Sequence, residues 1–150
     1  MNVLPMASAS SGGCVSRPRS AKRFLIDSCL LIDHLIGSAS ARDFLEKHLR
    51  RCVLSPIAIS EVGTGPGSTK QVSTSEEQLL ALLKSFPCTR IDRKVAETAA
   101  CFRRQKRNLP IADALQLATA HCRGLILATA DKKLIKAAKH FHVLYMSYRP

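Results

Sequence analysis

From residue 23 onward, short apolar runs alternate with segments whose apolar residues recur at helical spacing, and this alternation is what most limits the fold. The runs cover residues 24–27, 52–54, 87–91, 125–129 and 143–145. Between them the pattern predicts helices over 28–36, 41–50, 57–62, 93–107, 110–121 and 131–139. Pro56 and Pro110 suit first helical turns, and Gly37 and Gly124 suit helix ends. Ser75 reads as a cap, with Gln78 three residues on, for a further helix bearing Leu79, Leu80, Leu82 and Leu83 as its inward stripe. Phe44, Leu45 and Leu49 form the inward stripe of the second helix. Short strands alternating with helices predict an α/β fold in three α/β/α layers, with a central, mainly parallel sheet covered on both faces.

The chain of 150 residues fits one domain, and 46% hydrophobic residues suffice for a core. No apolar run reaches the ~20 residues needed to span a bilayer, so no membrane is expected as a partner. Residues 1–22 are rich in Ser, Gly and Pro and contain no acid. They read as a disordered extension ahead of a domain at 23–148. An upstream start codon and an organellar transit peptide are the other readings of that composition. The six cysteines show no C-x-x-C spacing, which argues against a zinc ribbon and fits a reducing cytoplasm. Cys29, Cys52 and Cys101 sit in apolar stretches and read as small core residues.

Lys and Arg number 23 against 11 Asp and Glu, and only four of those cations lie in residues 17–23, so the charge belongs to the domain itself. A polyanion, most simply RNA, is the expected partner. Four acids stand out against this background. Asp27 closes the first apolar run, Asp131 follows the fourth, Asp113 sits among apolar residues, and Glu61 lies on the helix after the second run. An ionised carboxylate in apolar surroundings is costly unless paired. In a parallel sheet the carboxyl ends of the strands are where such groups gather. All four can meet there and hold Mg²⁺ or Mn²⁺, hard cations that favour carboxylate oxygen. Each acid also has a plainer role. Asp27 and Asp131 can be helix N-caps, Asp113 can sit in the field of a helix N-terminus, and Glu61 can be solvated. The metal reading explains the four together. Asp33, six residues past Asp27, reads as a solvated helix residue.

The stretches 24–33 (FLIDSCLLID), 55–61 (SPIAISE), 109–120 (LPIADALQLATA) and 127–131 (LATAD) resemble, in order and spacing, the four acidic motifs of PIN domains, most closely those of VapC toxins of toxin–antitoxin pairs. The resemblance spans about residues 23–148. It implies a PIN-like fold and a metal-dependent endoribonuclease, a homodimer inhibited by a cognate antitoxin. It also implies that Asp27, Glu61, Asp113 and Asp131 are catalytic metal-site acids, with Ser28 and Thr129 as supporting hydroxyls. Capping and turn bonding are the alternative roles for those two hydroxyls. The chain departs from the pattern in the Gly- and Ser-rich stretch after Glu61, where the family continues a helix, and at Leu134, where an aromatic is common.

Two basic clusters are the expected RNA-binding surface: Arg103, Arg104, Lys106 and Arg107 at one helix end, and Lys132 and Lys133 with Lys136 and Lys139 on another helix. His140 and His142 can extend the second cluster. A solvated helix face accounts equally well for any one of these lysines. Two other functional classes remain at this stage. A phosphoacceptor signalling domain would need an acceptor Asp at the end of a central strand, and residues 52–55 offer none. A catalytically inactive nucleic-acid-binding module would gain nothing from four convergent negative charges.

Overall fold

The computed structural model describes residues 22–64 and 76–150. The expected extension over residues 1–22, save Lys22, the expected loop from residue 65 through Thr74 and the Ser75 cap lie outside the described residues.

The strands are β1 (Phe24–Ile26), β2 (Cys52–Val53), β3 (Ile126–Ala128) and β4 (Tyr145–Met146). They pair in the order β2-β1-β3-β4, and every pairing is parallel. The helices are α1 (Ser28–Leu35), α2 (Ala39–His48), α3 (Pro56–Gly63), α4 (Glu76–Lys84), α5 (Arg93–Gln105), α6 (Ile111–Arg123) and α7 (Lys132–His140), with a 3-10 turn at Leu49–Arg51.

Two apolar clusters cover opposite faces of the sheet, which gives the three layers. Along β1 the side chains alternate between them, as the two-residue period of a strand requires. Phe24 and Ile26 join Leu30, Leu31, Phe44 and Val62 from α1, α2 and α3. Leu25 joins Val95, Leu117 and Leu134 from α5, α6 and α7. The β1 side chains are at most 1% exposed, and each such burial contributes about 1.5–3 kcal/mol. The central strand is therefore a rigid mount for the residue that follows it, Asp27.

The local signals act as their chemistry requires. Ser55 caps α3 by accepting from the Ala58 N–H (3.1 Å), with Pro56 in the first turn. Gly124 ends α6 in the left-handed region at φ 61°, and the Leu125 N–H closes back on the Ala120 carbonyl (2.9 Å). That turn aims the chain into β3, whose carboxyl end carries Thr129 and Asp131.

Several expectations are corrected. Residues 87–91 form no strand; a single parallel bridge joins Cys88 to Leu54. Pro87 has no N–H to donate and two ladder bonds flank it instead, from Leu54 N–H to its carbonyl and from Thr89 N–H to the Leu54 carbonyl. Leu49 is 53% exposed, because α2 gives way to the 3-10 turn at that residue and the stripe rotates off the core. Leu80 is exposed, while Leu79 and Leu83, four residues apart, form the buried edge of α4. Of the three cysteines expected inside, only Cys52 is fully buried; Cys29 and Cys101 are partly so.

Candidate active site

Asp27 and Asp131 stand just past the carboxyl ends of the adjacent strands β1 and β3, and both are helix N-caps. Asp27 Oδ1 accepts from the Ser28 N–H (2.9 Å) at the start of α1. Asp131 Oδ1 accepts from the Lys133 and Leu134 N–H groups (2.7 and 3.3 Å) at the start of α7. Both acids therefore cap helices, and the helix dipoles favour the negative charge of each.

Thr129 ties the two together. It is fully buried. Its hydroxyl donates to Asp27 Oδ2 (2.7 Å) and accepts from the Asp131 N–H (3.1 Å). The supporting hydroxyl expected at this position is therefore a bridge between the acids of two strands. Ser28 serves through its backbone N–H; no side-chain hydrogen bond of Ser28 occurs among the described residues.

Asp113 lies half-buried in the first turn of α6. Its carboxyl is held above the usual carboxylate range by burial first, then by the charges of Asp131, Asp27 and Glu61, with Lys133 opposing. The four acids thus share one electrostatic field, although α3 presents Glu61 to solvent. Among the described residues no three His, Cys, Asp or Glu side chains are drawn into a ready-made metal cage. The donor set nonetheless fits a hard divalent cation: it is all oxygen, and Asp113 carries the cost of unmet negative charge.

The basic residues divide. Lys106, Lys133 and Lys136 line a cleft of about 300 Å³ with Asp113, Leu109 and Pro110. Arg103 turns its Nε to the Leu109 carbonyl (3.1 Å), fixing the α5–α6 connection rather than reaching the cleft. Arg104, Arg107 and Lys132 are exposed and do not line it.

Asp33 is not the solvated residue expected from its spacing. It is 6% exposed. The Tyr148 hydroxyl donates to its Oδ2 (2.6 Å), and Arg149 forms an ion pair with the same oxygen. That hydroxyl also lies 3.5 Å from Cys29 Sγ, whose thiol donates to Asp27 Oδ2 (3.0 Å). Burial and the Asp27 charge push the Cys29 thiol up, so it stays protonated as a donor. Residues 148 and 149 thereby latch onto α1 behind Asp27. A second group missed in the sequence joins three elements: Ser55 donates to Gln116 Oε1 (2.5 Å), and Gln116 donates to the Ile26 carbonyl (3.4 Å). The only signal for either network was a polar residue inside an apolar motif.

Comparison with known proteins places this arrangement. The family model for the PIN domain matches residues 24–140. Ribonuclease VapC10 of Mycobacterium tuberculosis is 34% identical over 111 residues, covering 71% of this chain and 81% of that protein. Among solved structures, a chain of a toxin–antitoxin complex from Klebsiella pneumoniae aligns with TM-score 0.62 at 30% identity, over 73% of this chain and 87% of that one. DNA-bound VapBC from Salmonella typhimurium aligns with TM-score 0.67 at 16% identity, over 85% and 98%, a likeness of fold. The chain belongs to the PIN-domain family and is VapC-like within it. Ribonucleases of this kind depend on a metal ion in general.

Proposed function

We propose that the protein is a Mg²⁺- or Mn²⁺-dependent endoribonuclease, the toxin of a toxin–antitoxin pair. Its substrate is RNA, its inhibitor a cognate antitoxin, its working form a homodimer, and its compartment the cytoplasm. No helix among the described residues is long and apolar enough to cross a membrane. The observation that carries the reading is Asp113, whose carboxyl feels Asp131, Asp27 and Glu61 together inside a cationic protein.

Asp27, Asp113, Asp131 and Glu61 would hold the cation. When bound, it supplies charge neutralisation at the scissile phosphate and makes water a better nucleophile. The chain's own residues do the rest. Thr129 and Ser28 fix the Asp27 carboxylate, and the α7 N–H groups fix that of Asp131. Lys106 and Lys133 line the cleft with Asp113, where they can neutralise RNA phosphates near the bond to be cut. Asp113, whose ionised form is disfavoured by burial and by the neighbouring negative charges, must lose its proton before it serves as a ligand.

The test is cleavage of a labelled RNA by the full chain with Mn²⁺ or Mg²⁺, with excess EDTA, and by Asp27→Asn with Mn²⁺. Cleavage is expected only in the first case. Undiminished cutting in EDTA, or by the variant, overturns the proposal.

A further inference from the structure

A cleft of about 480 Å³, larger than the one at the acids, opens at the opposite, amino-terminal edge of the sheet. Arg23 stands one residue before β1, and Leu125 one residue before β3. Arg23 and Asp27, at the two edges, lie four residues apart along the central strand, about 13 Å at the usual rise. Three arginines line the cleft, Arg23, Arg90 and Arg123, with one acid, Asp92.

These charges are organised. Asp92 caps α5 by accepting from the Val95 N–H (3.1 Å), and its other oxygen holds Arg123 Nη2 (2.8 Å). The same Arg123 nitrogen donates to the Arg90 carbonyl (3.2 Å). Arg123 is therefore fixed in place, and Asp92 is spent on it. The guanidinium groups of Arg23 and Arg90 have no hydrogen-bond or ion-pair partner among the described residues. The cleft is left with a surplus of two positive charges on planar, bidentate donors. Val53 and Leu125, core residues that are almost wholly buried, form the floor of the cleft.

We infer that this cleft binds a phosphomonoester of nucleotide size. A phosphomonoester carries about −1.5 to −2 at neutral pH, matching the surplus, whereas one carboxylate would leave a guanidinium unmet. The volume of about 480 Å³ admits a nucleoside beside the phosphate and lies within the usual range for small-molecule sites. The phosphate can belong to a free nucleotide or to the 5′ end of an RNA strand. The site shares no residue with the acid centre, so it stands independently of the ribonuclease reading.

Calorimetry with the full chain in EDTA, which leaves the acid centre repelling anions, tests this with AMP, adenosine and succinate. AMP is expected to bind at least tenfold tighter than the other two. The double variant Arg23→Gln/Arg90→Gln is expected to weaken AMP at least tenfold while melting as the wild type does. A 5′-phosphorylated 2′-O-methyl tetranucleotide that binds tenfold tighter than AMP identifies an RNA end as the ligand; equal affinities identify a free nucleotide. No uptake of AMP at millimolar concentration, equal binding of adenosine or succinate, or unchanged affinity in the double variant overturns the inference.

Discussion

Replacing Thr129 by Val removes one hydroxyl and little volume, and the structure gives its consequences. The side chain is fully buried, so water cannot substitute for it. Its bond to the Asp27 carboxylate is short, at 2.7 Å, and bonds to charged groups contribute about 1.5–3 kcal/mol. The Asp131 N–H also loses its acceptor, but Asp131 is exposed and solvent can reach that group. The expected loss is therefore roughly 2–3 kcal/mol, or a fall in Tm of roughly 10 °C for a domain of this size. Thr129→Ser keeps the hydroxyl and gives up one methyl, about 0.8 kcal/mol. Because Asp27 loses an orienting partner, Mn²⁺ affinity and cleavage by Thr129→Val should drop roughly ten- to a hundredfold. Urea unfolding in EDTA measures the first effect; Mn²⁺ calorimetry and single-turnover cleavage measure the second. A Val variant that unfolds and cleaves like the wild type, or a Ser variant as damaged as the Val variant, would refute the bridging role.

Asp113→Asn should abolish cleavage yet raise the Tm of the metal-free protein at neutral pH. The carboxyl's raised value means that its ionised form is disfavoured in the fold; that cost is present above the folded value and disappears as the pH falls below the ordinary carboxylate range. A Tm difference that persists in acid would contradict this. Tyr148→Phe should cost roughly 1.5–3 kcal/mol in urea unfolding, since it takes a donor from the buried Asp33 carboxylate; a loss under 0.5 kcal/mol would show that Arg149 suffices alone. Lys106→Gln with Lys133→Gln should flatten the salt dependence of RNA binding by about 0.7 per lost contact in a log–log plot, and an unchanged slope would assign both lysines to solubility. A protein starting at Ala21 is expected to cleave RNA with affinity only modestly reduced, checked by gel-shift and single-turnover assays; a folded but inactive product would mean that the preceding residues complete the site.

The parallel sheet could be read in the sequence because its signals are local. Pro56, Gly37 and Gly124 punctuate an alternation of periods, and each acts within a few residues of itself. Asp27 and Asp131 were legible for the same reason, as polar residues closing apolar strands. What escaped was tertiary. Asp33 looks solvated by its spacing, and only a tyrosine 115 positions away makes it a buried anchor. Ser55 and Gln116 are 61 positions apart, and no pattern in either segment announces the other. The strand expected at 87–91 failed because an apolar run does not tell whether a neighbour offers a ladder, and here the edge offers one bridge. Leu49 was misplaced by extending a helical stripe past the end of α2, and Leu80 by widening the stripe of α4 beyond the edge formed by Leu79 and Leu83.

The hydroxyl that orients Asp27 lies 102 positions further along the chain. Chains are made at about 5–20 residues per second, so roughly 5–20 s separate synthesis of the first acid from that of its partner. The latch from Tyr148 and Arg149 to Asp33 follows later still. A chain growing on the ribosome therefore exposes α1 and its acid well before the centre exists. A binding protein already present in the cell would meet Asp27 without its Thr129 partner before it met the finished molecule.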